Sequence, residues 1–303
     1  MSQVSLSVPE SSAALPAAPE TGATETVIRP KKGWIGVDWR ELVSHRELLY
    51  FLTWRDVKVK YKQAMFGSAW AIVVPLASVM IYTIVGHFAG FSSRTEGTTP
   101  YAVYIYAGLL PWLFLQTAIN GGGMALVNNQ SLLSKIYMPR IFIPSSMIGS
   151  AIVDFAMSSI VFAAMLAFYT FKTAGTDHAF VPSWQSVFVL PLFVLLVIAA
   201  LGTAYLLSAL TIMFRDLRFI IPFITQLGVW LTAVVYPQRI FGEYRQWLAL
   251  NPFAGIVQGF RSAILGEPWQ MMQLYSSIVL SILLFVLGLF YFKRVERRFA
   301  DIA

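Results

Sequence analysis

The chain has 303 residues, of which 57% are hydrophobic and 12% charged, with a mean hydropathy of +0.66 and a net charge of +7. An ordinary soluble domain carries about a quarter charged residues, so there is too little charge to coat a globule of this size and lipid must solvate much of the surface. Cysteine is absent, which excludes disulfides and thiolate metal sites, and the scattered His45, His87 and His178 make no metal-ligand spacing.

The first 28 residues are rich in Ser, Ala, Pro, Thr and Glu, with no Lys or Arg before Arg29 and no apolar core. They lack the features of a signal peptide, and residues 1–38 are expected to form a disordered cytosolic tail. From Trp39 the pattern changes. Trp39, Leu42, Val43, Leu49, Tyr50, Thr53, Val57, Tyr61 and Ala64 recur at three- and four-residue steps, opposite Arg46, Arg55, Lys58 and Lys62. This predicts an amphipathic helix over about 39–62, apolar face down in the headgroup plane. A soluble helix packed on a partner is the alternative, disfavoured by so basic a helix directly before a span.

A spanning helix needs about 20 apolar residues, because about 1.5 Å of rise per residue must cross about 30 Å of hydrocarbon. Stretches nearly free of charge place six spans within 66–91, 101–126, 143–171, 185–212, 219–237 and 269–292. With the N-terminus in the cytosol, 17 of the 22 Lys and Arg residues fall inside and 5 outside, so both termini are expected in the cytosol. The expected fold is therefore an all-α membrane protein of six transmembrane helices, with residues 39–303 as one transmembrane domain.

Three features of these elements bear on function. Between spans two and three, NNQSLLSKIYMPRIFIP is either a short docking helix stopped at Pro139 or a plain loop. Between spans five and six, residues 239–268 are unusually apolar and broken at Asn251-Pro252, with Phe253, Ile256, Val257, Phe260 and Ile264 on one face. Neither half can span, so a pair of re-entrant or interfacial helices is expected, with a cap resting on lipid as the alternative. Asp154 is the one acid deep in a span; it is either a proton relay or, as its isolation favours, a partnered residue facing other helices.

Motifs for chemistry are missing. No G-x-x-x-x-G-K-[ST] phosphate loop, H-E-x-x-H or G-x-S-x-G occurs, and Gly121-Gly122-Gly123 lies within span two, where close helix approach or a bend is the expected role. Aromatics crowd the first two spans. Trp70, Tyr82, Phe88, Tyr104, Trp112 and Phe114 are candidates either for interface belts or for a smooth wall against sugar rings.

From WRDVKVKYKQAMFGSAWAIVVPL, through AGLLPWLFLQTAI, LLSKIYMPRIFIP and FRDLRFIIPFITQLGVWLTAVVYP, to ALNPFAGIVQGFRSAILG, the sequence resembles permease subunits of ABC exporters for O-antigen, teichoic acid and capsule polysaccharides. The resemblance covers about Trp39 to Arg294. It implies a multi-pass bacterial inner-membrane permease without enzymatic activity, working as a homodimer whose interface is the conduit. Two ATP-binding-cassette subunits would carry ATP and Mg, with no cofactor in this chain and no nucleic acid among its partners. The cargo would be a lipid-linked polysaccharide. By the same analogy Asn128, Leu132, Leu133, Lys135, Tyr137 and Arg140 would couple to the ATPase, with Arg215, Asp216 and Arg218 beside them. Arg55, Lys58, Lys60 and Lys62 would receive a lipid headgroup, and Arg239, Arg245, Asn251, Phe253, Phe260 and Arg261 would close the outer end. A permease for drugs or small lipids, an integral membrane transferase and a passive channel are the competing readings. Scarce His, Asp and Glu argue against the transferase, and the lack of a filter motif argues against the channel.

Overall fold

The computed structural model describes residues 39–62, 67–92, 100–135, 138–173 and 184–296. Everything said of the fold concerns these residues; the expected tail at 1–38 lies outside them. Regular structure among them is helical, with no strand. Ten α-helices follow in order: α1 (Trp39–Ser44), α2 (Arg46–Lys62), α3 (Trp70–Phe88), α4 (Tyr101–Asn128), α5 (Gln130–Lys135), α6 (Phe142–Thr173), α7 (Val189–Met213), α8 (Leu217–Leu231), α9 (Ala254–Leu265) and α10 (Met271–Val295). A 3-10 turn at Trp184–Phe188 runs directly into α7.

Five helical segments are long and apolar enough to cross a bilayer: Trp70–Phe88, Tyr101–Asn128, Phe142–Thr173, Trp184–Met213 and Met271–Val295. The fifth expected span, 219–237, is different. Its helix α8 has 15 residues, about 22 Å at about 1.5 Å per residue, and then stops. The stop is a Schellman turn: the Ala233 amide donates to the Trp230 carbonyl at 3.1 Å and the Val234 amide to the Val229 carbonyl at 3.1 Å. Ala233, with φ of 54°, occupies the left-handed position usually given to glycine.

α4 is the central helix, packed against α3, α6, α7, α8 and α9, and most of its residues are buried. Glycine sets how closely its neighbours approach. A Cβ on Gly122 would come within 2.5 Å of the Ala204 Cβ on α7, so the glycine triplet does serve a helix crossing. α7 and α10 make the most extensive pairing, and they cross where Gly202 faces Gly288, backbone against backbone. Buried Ser208 on α7 and Ser281 on α10 have no hydrogen-bond partner among the described residues, but several other helix hydroxyls are satisfied locally. Ser145, Ser159, Thr170, Thr203 and Thr211 each donate to the carbonyl four residues earlier, at 2.6 to 2.9 Å.

The amphipathic segment is broken rather than continuous. A turn at His45 separates α1 from α2 and offsets the expected face. Val43 and Tyr50 are exposed, while Leu52 and Val57 are the residues α2 buries. Its main packing partner is α6, where Gly149 makes room for Thr53: a Cβ there would lie 2.7 Å from the threonine side chain.

The 239–268 region contains two short helices, as expected. Gln238–Leu250 is a 3-10 stretch kinked at Gly242, where φ is 51°. α9 follows Asn251, whose side-chain oxygen accepts from the Phe253 amide at 2.9 Å, and it ends on left-handed Gly266. With 12 residues α9 is too short to cross a bilayer. It is buried on all sides from Ala254 to Ile264, against α4, α7 and α10.

Candidate functional site: a basic helix held against the α6 helix

α2 carries Arg55, Lys58, Lys60 and Lys62 in two and a half turns, and the structure divides these four cations into two classes. Arg55 and Lys60 are engaged. Arg55 donates twice to Asp56 Oδ1, at 3.0 and 2.7 Å, and once to Asn129 Oδ1 at 3.0 Å. Asp56 is in turn held by Ser146 Oγ at 2.7 Å. Lys60 pairs with Asp154, and the Tyr61 hydroxyl donates to the same carboxylate. Burial, with the hydrogen bond and charge of Asp154 adding to it, pushes the Tyr61 hydroxyl well above the usual tyrosine range, so it stays a donor. Lys58 and Lys62 remain exposed, with Lys58 Nζ 5.3 Å from the Trp54 ring centroid. Together with Phe51, Trp54, Arg55 and Val59 they line an open depression of about 400 Å³.

Asp154 is therefore a partnered residue. Its partners lie 93 and 94 residues earlier in the chain, a distance across which sequence pattern carries no signal. The cluster opens into a cavity of about 140 Å³ bounded by Trp70, Pro75, Phe114 and Ser158, so α2, α3, α4 and α6 meet there.

The segment after α4 is tethered at both ends. Asn129, at its start, accepts from Arg55 and donates to the Ala125 carbonyl at 2.9 Å. Arg140, at its end, donates to the Glu296 carbonyl just past α10, and Lys293 pairs with Glu296 at 2.9 Å. Between them lies the six-residue α5, with Leu132 half-buried, while Asn128, the last residue of α4, is exposed. Leu133 and Lys135 belong to this helix, and Tyr137 lies outside the described residues. Arg215 and Asp216 in the turn joining α7 to α8, and Arg218 in the first turn of α8, are exposed. Among the described residues they make no hydrogen bond or ion pair with Asn128–Arg140.

The aromatic candidates also separate. Trp70 and Phe88 are exposed on α3, and Tyr82 is half-buried with its ring against Trp230 of α8. Tyr104, Trp112 and Phe114 are buried in the core of the subunit, with Phe114 lining the cavity beside Asp154. The reason is α4 itself: it is surrounded by other helices, so every aromatic it carries packs inward.

At the far end of the bundle, Arg261, expected to help close the outer end, has no exposed surface. Its guanidinium lies 4.0 Å from the Tyr104 ring centroid, donates to the Ala233 carbonyl at 2.9 Å and also donates to the Val234 carbonyl. Left-handed Ala233 aims those carbonyls, and Gly108 leaves space for the side chain, since a Cβ there would meet Nη2 at 2.5 Å. Phe260 is likewise fully buried. Arg239 is exposed, Arg245 donates to Gln270, and Asn251 ties the loop to Thr232 Oγ1 at 3.1 Å. Phe253 is half-buried against the core.

Residues 47–265 match the family described as ABC-2 type transporter. The chain is 27% identical over 227 residues to the O-antigen export system permease protein RfbA of Myxococcus xanthus, covering 74% of this chain and 82% of the relative. A protein of the same description from Klebsiella pneumoniae is 26% identical over 259 residues, covering 84% and 95%. The polysialic acid transport protein KpsM of Escherichia coli is 21% identical over 214 residues, covering 70% and 78%.

Proposed function

The chain belongs to the ABC-2 type transporter family, and on that premise we propose that it is the transmembrane subunit of an ATP-driven exporter that carries a lipid-linked, O-antigen-like polysaccharide out of the cytosol. As a permease of this family it is a multi-pass protein of the bacterial inner membrane. The single observation that supports the cargo is the similarity of 84% of the chain to a relative named for O-antigen export. The similarity to KpsM gives capsule polysaccharide as the second reading.

In the proposed arrangement the membrane is crossed six times, with both termini in the cytosol. The fifth crossing combines the 15-residue α8 with the buried, non-helical 232–237 segment, which is acceptable at membrane depth because protein surrounds it. Two copies meet and enclose the conduit between them. The apolar faces of α3 and α8 are assigned to this contact, with Trp70, Ile81 and Phe88 on one and Phe223, Leu227 and Trp230 on the other. Both belong to the same region of the subunit, since Tyr82 packs against Trp230.

An anionic headgroup is drawn to the α2 surface by Lys58 and Lys62, while Arg55 and Lys60 hold α2 in place. Two ATP-binding subunits dock from the cytosol on α5, because this chain lacks a phosphate loop of its own; ATP and Mg reside on them. The tethers at Asn129 and Arg140 pass a push on α5 to α2 and to the end of α10. The short helices after α8 close the outer end, where Arg239 is exposed.

Deleting the gene and blotting polysaccharide from the surface and the interior tests the reading. Loss from the surface with lipid-linked glycan accumulating inside is expected, whereas an unchanged surface coat refutes export of glycan. A reporter fused after Ala303 is expected in the cytosol.

A further inference from the structure

A further apolar feature lies apart from the α3–α8 faces and from the exposed lysines of α2. On the other side of α2, an open groove of about 600 Å³ runs between the α1–α2 segment and helices α6, α7 and α10. Its wall is almost wholly aliphatic and aromatic, including Leu49, Ile152, Leu201, Phe285 and Leu289. The Ser145 and Tyr205 hydroxyls within it are already engaged: Ser145 donates to the Ile141 carbonyl at 2.7 Å and lies 2.8 Å from the Tyr205 hydroxyl. Water has few partners here, so the groove is built for hydrocarbon.

One charged residue lines it. Arg46, the first residue of α2, is exposed at the rim and makes no hydrogen bond or ion pair among the described residues, and no carboxylate lines the groove. An uncompensated guanidinium above an apolar slot has the chemistry of an anionic glycerophospholipid: phosphate on the arginine fork, one acyl chain below. The volume falls within the range of about 300–1,000 Å³ typical of ligand pockets. It suits one acyl chain far better than the much longer tail of a polyprenyl carrier. Both requirements meet at one place because α2 lies across the end of α6, with charge toward the headgroups and the slot toward the bilayer.

We infer that this groove holds a resident anionic phospholipid, which fastens the α1–α2 segment to the bundle at a position separate from the cargo's path. The site depends on the chain being a membrane protein and not on the identity of its cargo.

Native mass spectrometry of the full chain, purified from bilayers containing equal phosphatidylglycerol and phosphatidylethanolamine, tests the inference. The wild type is expected to retain about one phosphatidylglycerol per chain. Arg46→Gln is expected to lower the preference for phosphatidylglycerol about fivefold, the equivalent of about 1 kcal/mol for one cation near the membrane surface. Ile152→Trp, which fills the slot and leaves the charge, is expected to abolish retention of either lipid. Added phosphatidylglycerol is expected to raise the melting midpoint of the wild type but not that of Ile152→Trp. Retention of both lipids in bilayer proportion, or retention that neither substitution changes, overturns the site. A bound mass matching a polyprenyl phosphate overturns the assignment of its occupant. None of these outcomes bears on whether glycan is exported.

Discussion

The crossing of α7 and α10 should tolerate no side chain at Gly202. A Cβ there would sit 2.5 Å from the Phe285 amide nitrogen and 2.6 Å from the Phe285 Cα and the Leu284 carbonyl carbon, whereas ordinary contact begins near 3.4 Å. All three obstacles are backbone, so no rotamer change relieves them, and the helices must part by about 0.9 Å, the difference between 3.4 and 2.5 Å. A gap of that size forfeits roughly a quarter to a half of each dispersion contact along the seam, and overpacking of this kind costs about 1–3 kcal/mol. Because the largest helix pairing in the chain is affected, the upper end applies, about 3 kcal/mol. The helix propensity of alanine over glycine returns about 1 kcal/mol, leaving Gly202→Ala destabilised by about 2 kcal/mol. Gly121→Ala is the matched control: its Cβ would meet Met147 Cβ at 3.6 Å, ordinary contact, so the propensity gain remains and the variant should be neutral or slightly stabilised. Equilibrium unfolding in mixed micelles measures both. If Gly202→Ala unfolds within about 0.5 kcal/mol of Gly121→Ala, close backbone approach is not what holds this seam.

Three further outcomes follow from particular contacts. Arg261→Lys replaces a fork serving two carbonyls with a single ammonium; one buried carbonyl is left unsatisfied, and a loss of about 1–3 kcal/mol in the same unfolding assay is expected, an unchanged midpoint counting against the fork. Tyr61 has its ionisation raised mainly by burial, with Asp154 adding to it, so its protonated form is favoured on folding. The stabilisation is complete below the ordinary tyrosine value of 10.0 and fades as pH rises past it; wild type and Tyr61→Phe should therefore converge in stability at alkaline pH, and a constant difference across the titration sinks the idea. Asn129→Leu removes the acceptor of the Arg55 tether, a charge-assisted bond of about 1.5–3 kcal/mol. In the assembled exporter this variant should keep ATP turnover but lose glycan export by about tenfold or more, and equal losses of both would show that α2 is not moved through Asn129.

The bilayer makes spans easy to read. A run of about 20 apolar residues has few alternative fates, and five of the six expected segments are helices of sufficient length. The sixth shows where that reasoning ends. Nothing in GVWLTAVVYP announces a helix stop at Ala233, because the left-handed turn is normally marked by glycine. The buried Arg261, 28 residues later, compensates for the choice by taking the two carbonyls the turn exposes. Sequence pattern assigned Arg261 only to the outer end, because its acceptors lie 28 and 27 residues earlier in the chain; only the turn reveals them. The burial of Tyr104, Trp112 and Phe114 was illegible for a related reason. Aromatic content identifies a span, but which span is central depends on how many helices surround it.

Hydroxyls and charges divide on the same principle. A serine or threonine in hydrocarbon can turn to the carbonyl four residues back, so its partner is fixed by the helix itself and is legible locally. A carboxylate has no such recourse. Asp56 and Asp154 draw cations from α2 and a hydroxyl from each side of the interface: Arg55 and Ser146 for the first, Lys60 and Tyr61 for the second. That fixes α2 against α6 at two points, about one turn apart on α2 and about two turns apart on α6, and leaves Lys58 and Lys62 on the exposed face. The basic helix thus needs both classes of cation, one to set its position and one to present charge, and a composition that counts only four cations cannot tell them apart.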